Sequence, residues 1–501
     1  MKVSPHIIEK VFVEVNTANM KTATAIRDNI AGLLEQRIFP KLAEMLDELN
    51  SEDRVIRFHT FDLNISIPGD DLLNRLEVAL TGQLSQEIAA ITGSLERGWG
   101  SDTVHTEMEI IPVEKNREEL FFHFLEKGYL PWYASREEFE ELLQSQHWKN
   151  HLGKPEFLSR LIRLLKSKTS IRDRFIFQID DEHQKKFLQQ LNPIAGKEVA
   201  TLYGFFDKFS PVTHHIFYRF ILDVSLGIEI DQLIFSSHQL IESLGDILRK
   251  QNDDQDRQFF TELTGLVQKS NHLSDQEKEK IKTVLSASVT EYEADITVLR
   301  GKDGLHKLPV KNEKKDVEKL SGTNKDTVEL FPETGEEGIA VQNGGLILLH
   351  PFLKQFFRAI EILDEKERIK KSAYHVAIQA LHYLATGNCD FFEGDLLFEK
   401  FLCGVSLAMP VERESLLSEH IKEECGQLLR EVIRQWPALK NSSPDGLRQM
   451  FIQRNGKLRQ EERNFKLLME RKAQDILLDK LSWNISLTKI PWRKELLFVE
   501  W

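Results

Sequence analysis

The side chains best suited to chemistry in this sequence are its histidines, its cysteines and one serine, and their spacing decides what they can do. His147 and His151, in the run HWKNH, stand four apart and can share one helix face, which is the spacing of paired metal ligands. Trp148 and Lys149 stand where a zinc-protease motif needs its glutamate, no third ligand is adjacent, and Gly153 soon ends any helix. The pair therefore reads as ordinary surface histidines. His375, His382, Cys389 and Cys403 follow at intervals of seven, seven and fourteen, which match no usual pairing of close ligands. Isolated cysteines of this kind are more often small core hydrophobes. Gly404-Val405-Ser406 lacks the second glycine of a nucleophile elbow, and no glycine loop ending in Gly-Lys-Ser/Thr is present to cradle a phosphate. The residues thus predict no catalytic site, no metal and no cofactor.

Binding is better served than catalysis. The runs Leu130-Pro131-Trp132-Tyr133 and Ile490-Pro491-Trp492 each set a large aromatic beside a proline, which makes a rigid apolar anchor of the kind favoured at interface centres. Pro131, Trp132, Tyr133, Pro491, Trp492 and the final Trp501 are the candidate partner-binding residues, and the plain alternative is a tryptophan packed into its own domain. Acidic runs such as Glu137-Glu138 with Glu140-Glu141 read as a solvated helix face.

Composition bounds the class of protein. A chain of 501 residues has material for roughly three domains, and 41% hydrophobic residues with 31 Phe supply their cores. A formal charge of -13 sets the default against nucleic acid, whose phosphates need a basic surface. Three cysteines make no disulfide framework and fit a reducing compartment. The N-terminus, MKVSPHIIEKVFVEV, interrupts its apolar residues with charge where a signal peptide would not. The expectation is a cytoplasmic chain without membrane insertion.

The elements that must position these residues follow from periodicity. Ile7–Val15 alternates with period two and predicts a strand, Ile26 to Leu34 a helix that kinks at Phe39-Pro40, and Val55–Ile67 a second strand with a bulge near His59-Thr60. That is a β-α-β unit. A helix over 70–97 follows, then a short edge strand within 106–114 limited by Pro112. From Glu118 to about Leu299 the pattern is helical. Lys311–Asp326 holds only Val317 and Leu320 as apolar residues, too few to offset the entropy of ordering, and predicts a linker. The run GIAVQNGGLILLHPFL, Gly338–Leu353, then predicts a second core: its Asn-Gly-Gly turn offers positive-φ positions, its four consecutive apolar residues are buried, and Pro351 sits in the first turn of a helix. Helices are expected at 373–384, 396–402, 413–435, 444–451 and 464–480, then strands at Trp483–Thr488 and near Leu497–Trp501. The closing strand is too apolar to stand in water, and the only other strong strands predicted are N-terminal, so the expectation is that it docks on the N-terminal sheet.

The predicted fold is α+β and predominantly α-helical, with an N-terminal β-α-β unit, a helical middle and a helical C-terminal region ending in a β-hairpin. The corresponding domains are 1–115, 116–300, a flexible polar linker at 301–337, and 338–501.

Taken in order, IIEKVFVEV, the helix ending RIFPKLAEMLDEL, FLEKGYLPWYA, GIAVQNGGLILLHPFL, LHYLATG, WPALKNSSPDGLRQMFIQRNG and LSWNISLTKIPWRKELLFVEW resemble the contractile injection system tape measure family. The likeness covers about Pro5–Trp132 and Gly338–Trp501, and the middle carries no motif that can be transferred. The resemblance implies a non-enzymatic structural or assembly component of a phage-tail-like particle, acting in inner-tube length determination or tube and baseplate assembly. Its partners would be inner tube, baseplate or tube-end proteins. The alternative is a cytosolic chaperone or adaptor for another particle component, not retained in the mature particle.

Overall fold

The structure, a computed structural model, describes residues 6–8, 10–17, 19–47, 49, 53–66, 72–96, 108–205, 211–248, 253–285 and 338–501. The predicted linker at 301–337 and the predicted helix beyond residue 285 lie outside the described residues. Two compact units divide the chain, Met1–Phe121 with Leu130–Leu142, and Phe122–Tyr129 with Leu143–Trp501. The fold is α+β and predominantly helical, with small sheets, as the periodicity predicts.

The first unit is built on helices Met20–Leu33, Phe39–Asp47 and Leu72–Glu96 and a two-stranded sheet. Asn19 caps the first helix, its side chain accepting from the Lys21 N–H. The kink expected at Pro40 is taken up by a π-helical turn, Leu34–Ile38, just before it; widening the ladder there relieves the clash of the proline ring with the preceding turn. Glu77 on the long helix bonds Arg37 and Lys41 at 2.8 and 2.9 Å, and these two cations hold its carboxyl below the ordinary range. Strand β1, Arg54–Phe58, pairs antiparallel with β2, Met108–Pro112, in the register Arg54↔Pro112 to Phe58↔Met108. Ile56, Phe58 and Met108 pack with Leu42, Met45, Leu46, Leu49 and Ile88.

Two strand expectations fail here. Ile7–Val15 forms no strand among the described residues, because no neighbouring strand lies alongside to complete a ladder. β1 stops at Phe58, so the sheet joins β1 to β2 across a helix rather than forming the predicted β-α-β unit.

The second unit holds the middle helices and the C-terminal region. Helices Asp181–Leu191 and Ile230–Leu248 fall where their apolar stripes place them. In the C-terminal region Ile339–Val341 is β3, Asn343 takes φ 52°, and Gly344–Leu349 forms a wholly buried 3-10 turn leading into helix His350–Ala359 with Pro351 in its first turn. Gly345 is obligatory, since a Cβ there would lie 1.8 Å from the Phe451 carbonyl oxygen.

A five-stranded sheet closes this core in the order β3-β4-β5-β7-β6, where β4 is Gly456–Glu461, β5 Asn464–Met469, β6 Leu487–Thr488 and β7 Leu497–Glu500. The predicted helix over 464–480 is therefore β5 followed by a 3-10 segment, Ala473–Lys480. Phe465, Leu467 and Met469 alternate into the core, and Leu468 beside them masks the period of two. The terminal hairpin is present, with Leu487 opposite Phe498, but β7 also runs parallel to β5 and does not dock on an N-terminal sheet. The free edge of β5 attracts it because Leu497 and Val499 then stand beside Phe465 and Leu467 on the same buried face.

Deleting Leu497–Trp501 removes the strand between β5 and β6 and exposes that face. Burying side chains of this size is worth roughly 1.5–3 kcal/mol each, so the truncated chain is expected to lose about 3–6 kcal/mol in chemical denaturation. An unchanged denaturation midpoint contradicts this account of β7.

Candidate functional site

The sequence-predicted anchors fall in different units. Pro131, Trp132 and Tyr133 belong to the first, where Trp132 is 48% exposed and meets Tyr133 edge to face at 5.5 Å. The Arg57 guanidinium lies over the Tyr133 ring at 4.1 Å, which fixes the presentation of its neighbour. Pro491, Trp492 and Trp501 belong to the second. Pro491 is exposed, but Trp492 packs on Phe357 at 5.2 Å and its indole N–H donates to the Leu402 carbonyl at 2.6 Å. Trp501 is half-buried against the C-terminal core. Trp483 and Trp436 behave as Trp492 does, donating to Leu348 and Leu477 carbonyls at 3.0 and 3.1 Å. Thus Trp132 is a surface aromatic, and Trp492 a staple of its own core.

Of the histidine and cysteine candidates, His151, His382 and Cys403 are buried, and His147, His375 and Cys389 are half-buried. His151 is fully buried, not a surface residue, because helix Ser145–Leu152 folds against the next helix and sets its ring 5.3 Å from Phe157. His375 accepts from the Glu412 N–H at 3.0 Å, and His382 meets the Asp390 carbonyl at 3.3 Å. Burial holds the Cys403 thiol far above its ordinary value and pushes Cys425 up to about 12, so neither presents a thiolate at neutral pH. Among the described residues, no group of three or more His, Cys, Asp or Glu side chains is placed to hold a metal ion.

One fully buried polar constellation leaves only a faint trace in the sequence. Arg174, Glu393 and Lys400, all in the second unit, are wholly inaccessible to water. Arg174 grips both Glu393 oxygens at 3.1 and 3.2 Å and donates to the Leu125 and Ala408 carbonyls. Lys400 donates to Glu393 at 2.8 Å and to the Leu407 carbonyl at 3.1 Å. Burial depresses the Lys400 ammonium to about 8 against the pull of Glu393. Gly128, at φ 82°, gives these groups room, since a Cβ would lie 2.6 Å from both Arg174 and Glu393. Nearby, Gln178 donates to the Val411 carbonyl at 2.7 Å. A faint signal does exist in the sequence, for Glu399 and Lys400 are set within the otherwise apolar run LLFEKFL.

Elsewhere in the second unit a cleft of about 100 Å³ is lined by Asp180, Asp181, His214, His215, Tyr218 and Glu412. His215 pairs with Glu412, and the Phe177 ring closes on His215 at 4.6 Å and His375 at 5.6 Å. Burial lowers the His214 and His375 pKa values and raises that of Tyr218. Among the described residues, no serine, cysteine or lysine lines the cleft. Its carboxylates and imidazoles can accept and donate protons.

A family model described as contractile injection system tape measure protein matches residues 5–501, the middle region included. No curated protein matches the chain. No solved structure matches it. Among the described residues, no helix is long and apolar enough to cross a membrane.

Two outcomes are expected from this geometry. Arg174→Met leaves a buried carboxylate with half its partners and should cost about 3–5 kcal/mol in chemical denaturation, whereas loss of an exposed pair such as Arg136 with Glu140 should cost under about 1 kcal/mol. Equal effects would contradict a central role for the buried cluster. Burial also lowers His123, to about 4, and lowers His214, His272, His350 and His375. The unfolded chain binds protons at these sites near pH 6.5 while the folded chain does not, so stability should fall as pH drops from about 6.5 toward 4. His123→Gln should flatten part of that slope in urea midpoints measured across the window. A slope unchanged by the substitution would remove His123 from the account.

Proposed function

The chain belongs to the contractile injection system tape measure family, and from that premise we propose that it is a non-enzymatic structural component acting in inner-tube length determination during tube and baseplate assembly. The observation that carries this reading is the extent of the match, residues 5–501, which runs through both units. The state of several reactive side chains supports it: Cys403 and Cys425 are held as thiols, and His151 and His382 are buried. Exposed aromatic surface at Trp132 supports engagement of other particle proteins, namely inner tube, baseplate or tube-end components.

The longest described helix, Leu72–Glu96, has 25 residues. At 1.5 Å per residue it spans only about 38 Å, so the proposed role is exerted through contacts with neighbouring proteins rather than by one described helix laid along a tube.

The test is made in a strain producing the particles. Removing the chain should abolish particles or broaden the distribution of tube lengths seen by electron microscopy, and mass spectrometry of purified wild-type particles should find the chain. Tubes of unchanged, narrow length distribution would overturn the length-setting role. Altered lengths with the chain missing from purified particles would establish the alternative, an adaptor that leaves before maturation.

A further inference from the structure

We propose that the segment Ile7–Val15 pairs with the same segment of a second copy of this chain, as an antiparallel two-stranded ribbon centred on Phe12. Ile7, Ile8, Val11, Phe12, Val13 and Val15 are between 39 and 81% exposed, with Phe12 the most exposed of them. Among the described residues the segment makes no backbone hydrogen bond to another strand. A run of β-branched and aromatic residues without Gly or Pro, with no ladder among the described residues, is a strand lacking a neighbour.

The segment is held at both ends, which reduces the entropy lost on pairing. The His6 ring bonds Asp47 at 2.8 Å on helix Phe39–Asp47, and Asn19 caps the helix that follows. Its charges then select the partner and the register. In a parallel, in-register pair Lys10 would face Lys10 and Glu14 would face Glu14, which is unfavourable. In a two-fold antiparallel pair centred on Val11, Lys10 would face Phe12 and Ile8 would face Glu14. Centring on Phe12 instead sets Lys10 opposite Glu14 twice, Val11 opposite Val13 twice, and Phe12 against its own copy. Such self-complementarity is what a two-fold interface requires. Lys10 and Glu14 are both exposed, and among the described residues Glu14 accepts only a local bond from Asn16, so they are free to form these pairs.

The test uses the purified full chain in sedimentation equilibrium over a wide concentration range, with thermal melting to confirm that each variant folds. The wild type should dimerise. Lys10→Glu sets like charges opposite each other at both ends of the ribbon, as does Glu14→Lys, and each should weaken association about tenfold. The double variant Lys10→Glu with Glu14→Lys should restore it, because it exchanges the two charges without changing the pairing. A wild type that stays monomeric throughout overturns the proposal, as do single variants that associate unchanged or a double variant that fails to recover. Because no other particle protein is present, the outcome is independent of whether the chain sets tube length.

Discussion

Arg174, Glu393 and Lys400 impose the constraint on which the rest of the second unit depends. Removing three charges from water costs several kcal/mol per ion unless every donor and acceptor finds a partner, so the elements around them have little freedom to shift. Arg174 comes from helix Thr169–Gln178, Glu393 and Lys400 from the segment around helix Leu397–Leu402, and the accepting carbonyls from Leu125, Leu407 and Ala408. These stretches are far apart in sequence, and Phe124, next to Leu125, stacks at 5.0 Å on Phe392, next to Glu393. Removing one partner from such a group is costly because it leaves an uncompensated buried charge.

Backbone proximity does comparable work in the C-terminal core. Gly345 lets the buried 3-10 turn lie directly against the chain at Phe451 and Ile452, and the Gly344 N–H donates to the Arg454 carbonyl at 2.8 Å. Arg454 is itself fully buried and spends its donors on Met450, Glu470 and Asp475. Indole N–H groups from Trp436, Trp483 and Trp492 tie three further segments to main-chain oxygens. These bonds satisfy buried donors within the C-terminal region itself.

Burial also limits what several of the reactive side chains can do. A histidine needs water and a partner to shuttle a proton, and a cysteine needs an electropositive opening to become a thiolate. His151 and Cys403 lie in apolar packing instead. Phe12 and Trp132, by contrast, are large apolar groups that meet water.

The sequence by itself determined the predominantly helical α+β class, the core at Gly338–Leu353, the interruption before Pro40, the terminal hairpin and the family, because local periodicity, turn chemistry and ordered motifs are written in neighbouring residues. It did not determine strand partners. Ile7–Val15 has a strand pattern and no ladder, whereas Asn464–Met469 has an ambiguous pattern and a place in the middle of a sheet, because pairing depends on what the fold brings alongside. Nor did it reveal Arg174 with Glu393, which a helix pattern treats as solvent-facing charges. Whether an ion is buried depends on the elements packed over it from distant parts of the chain, and only the tertiary structure decided that.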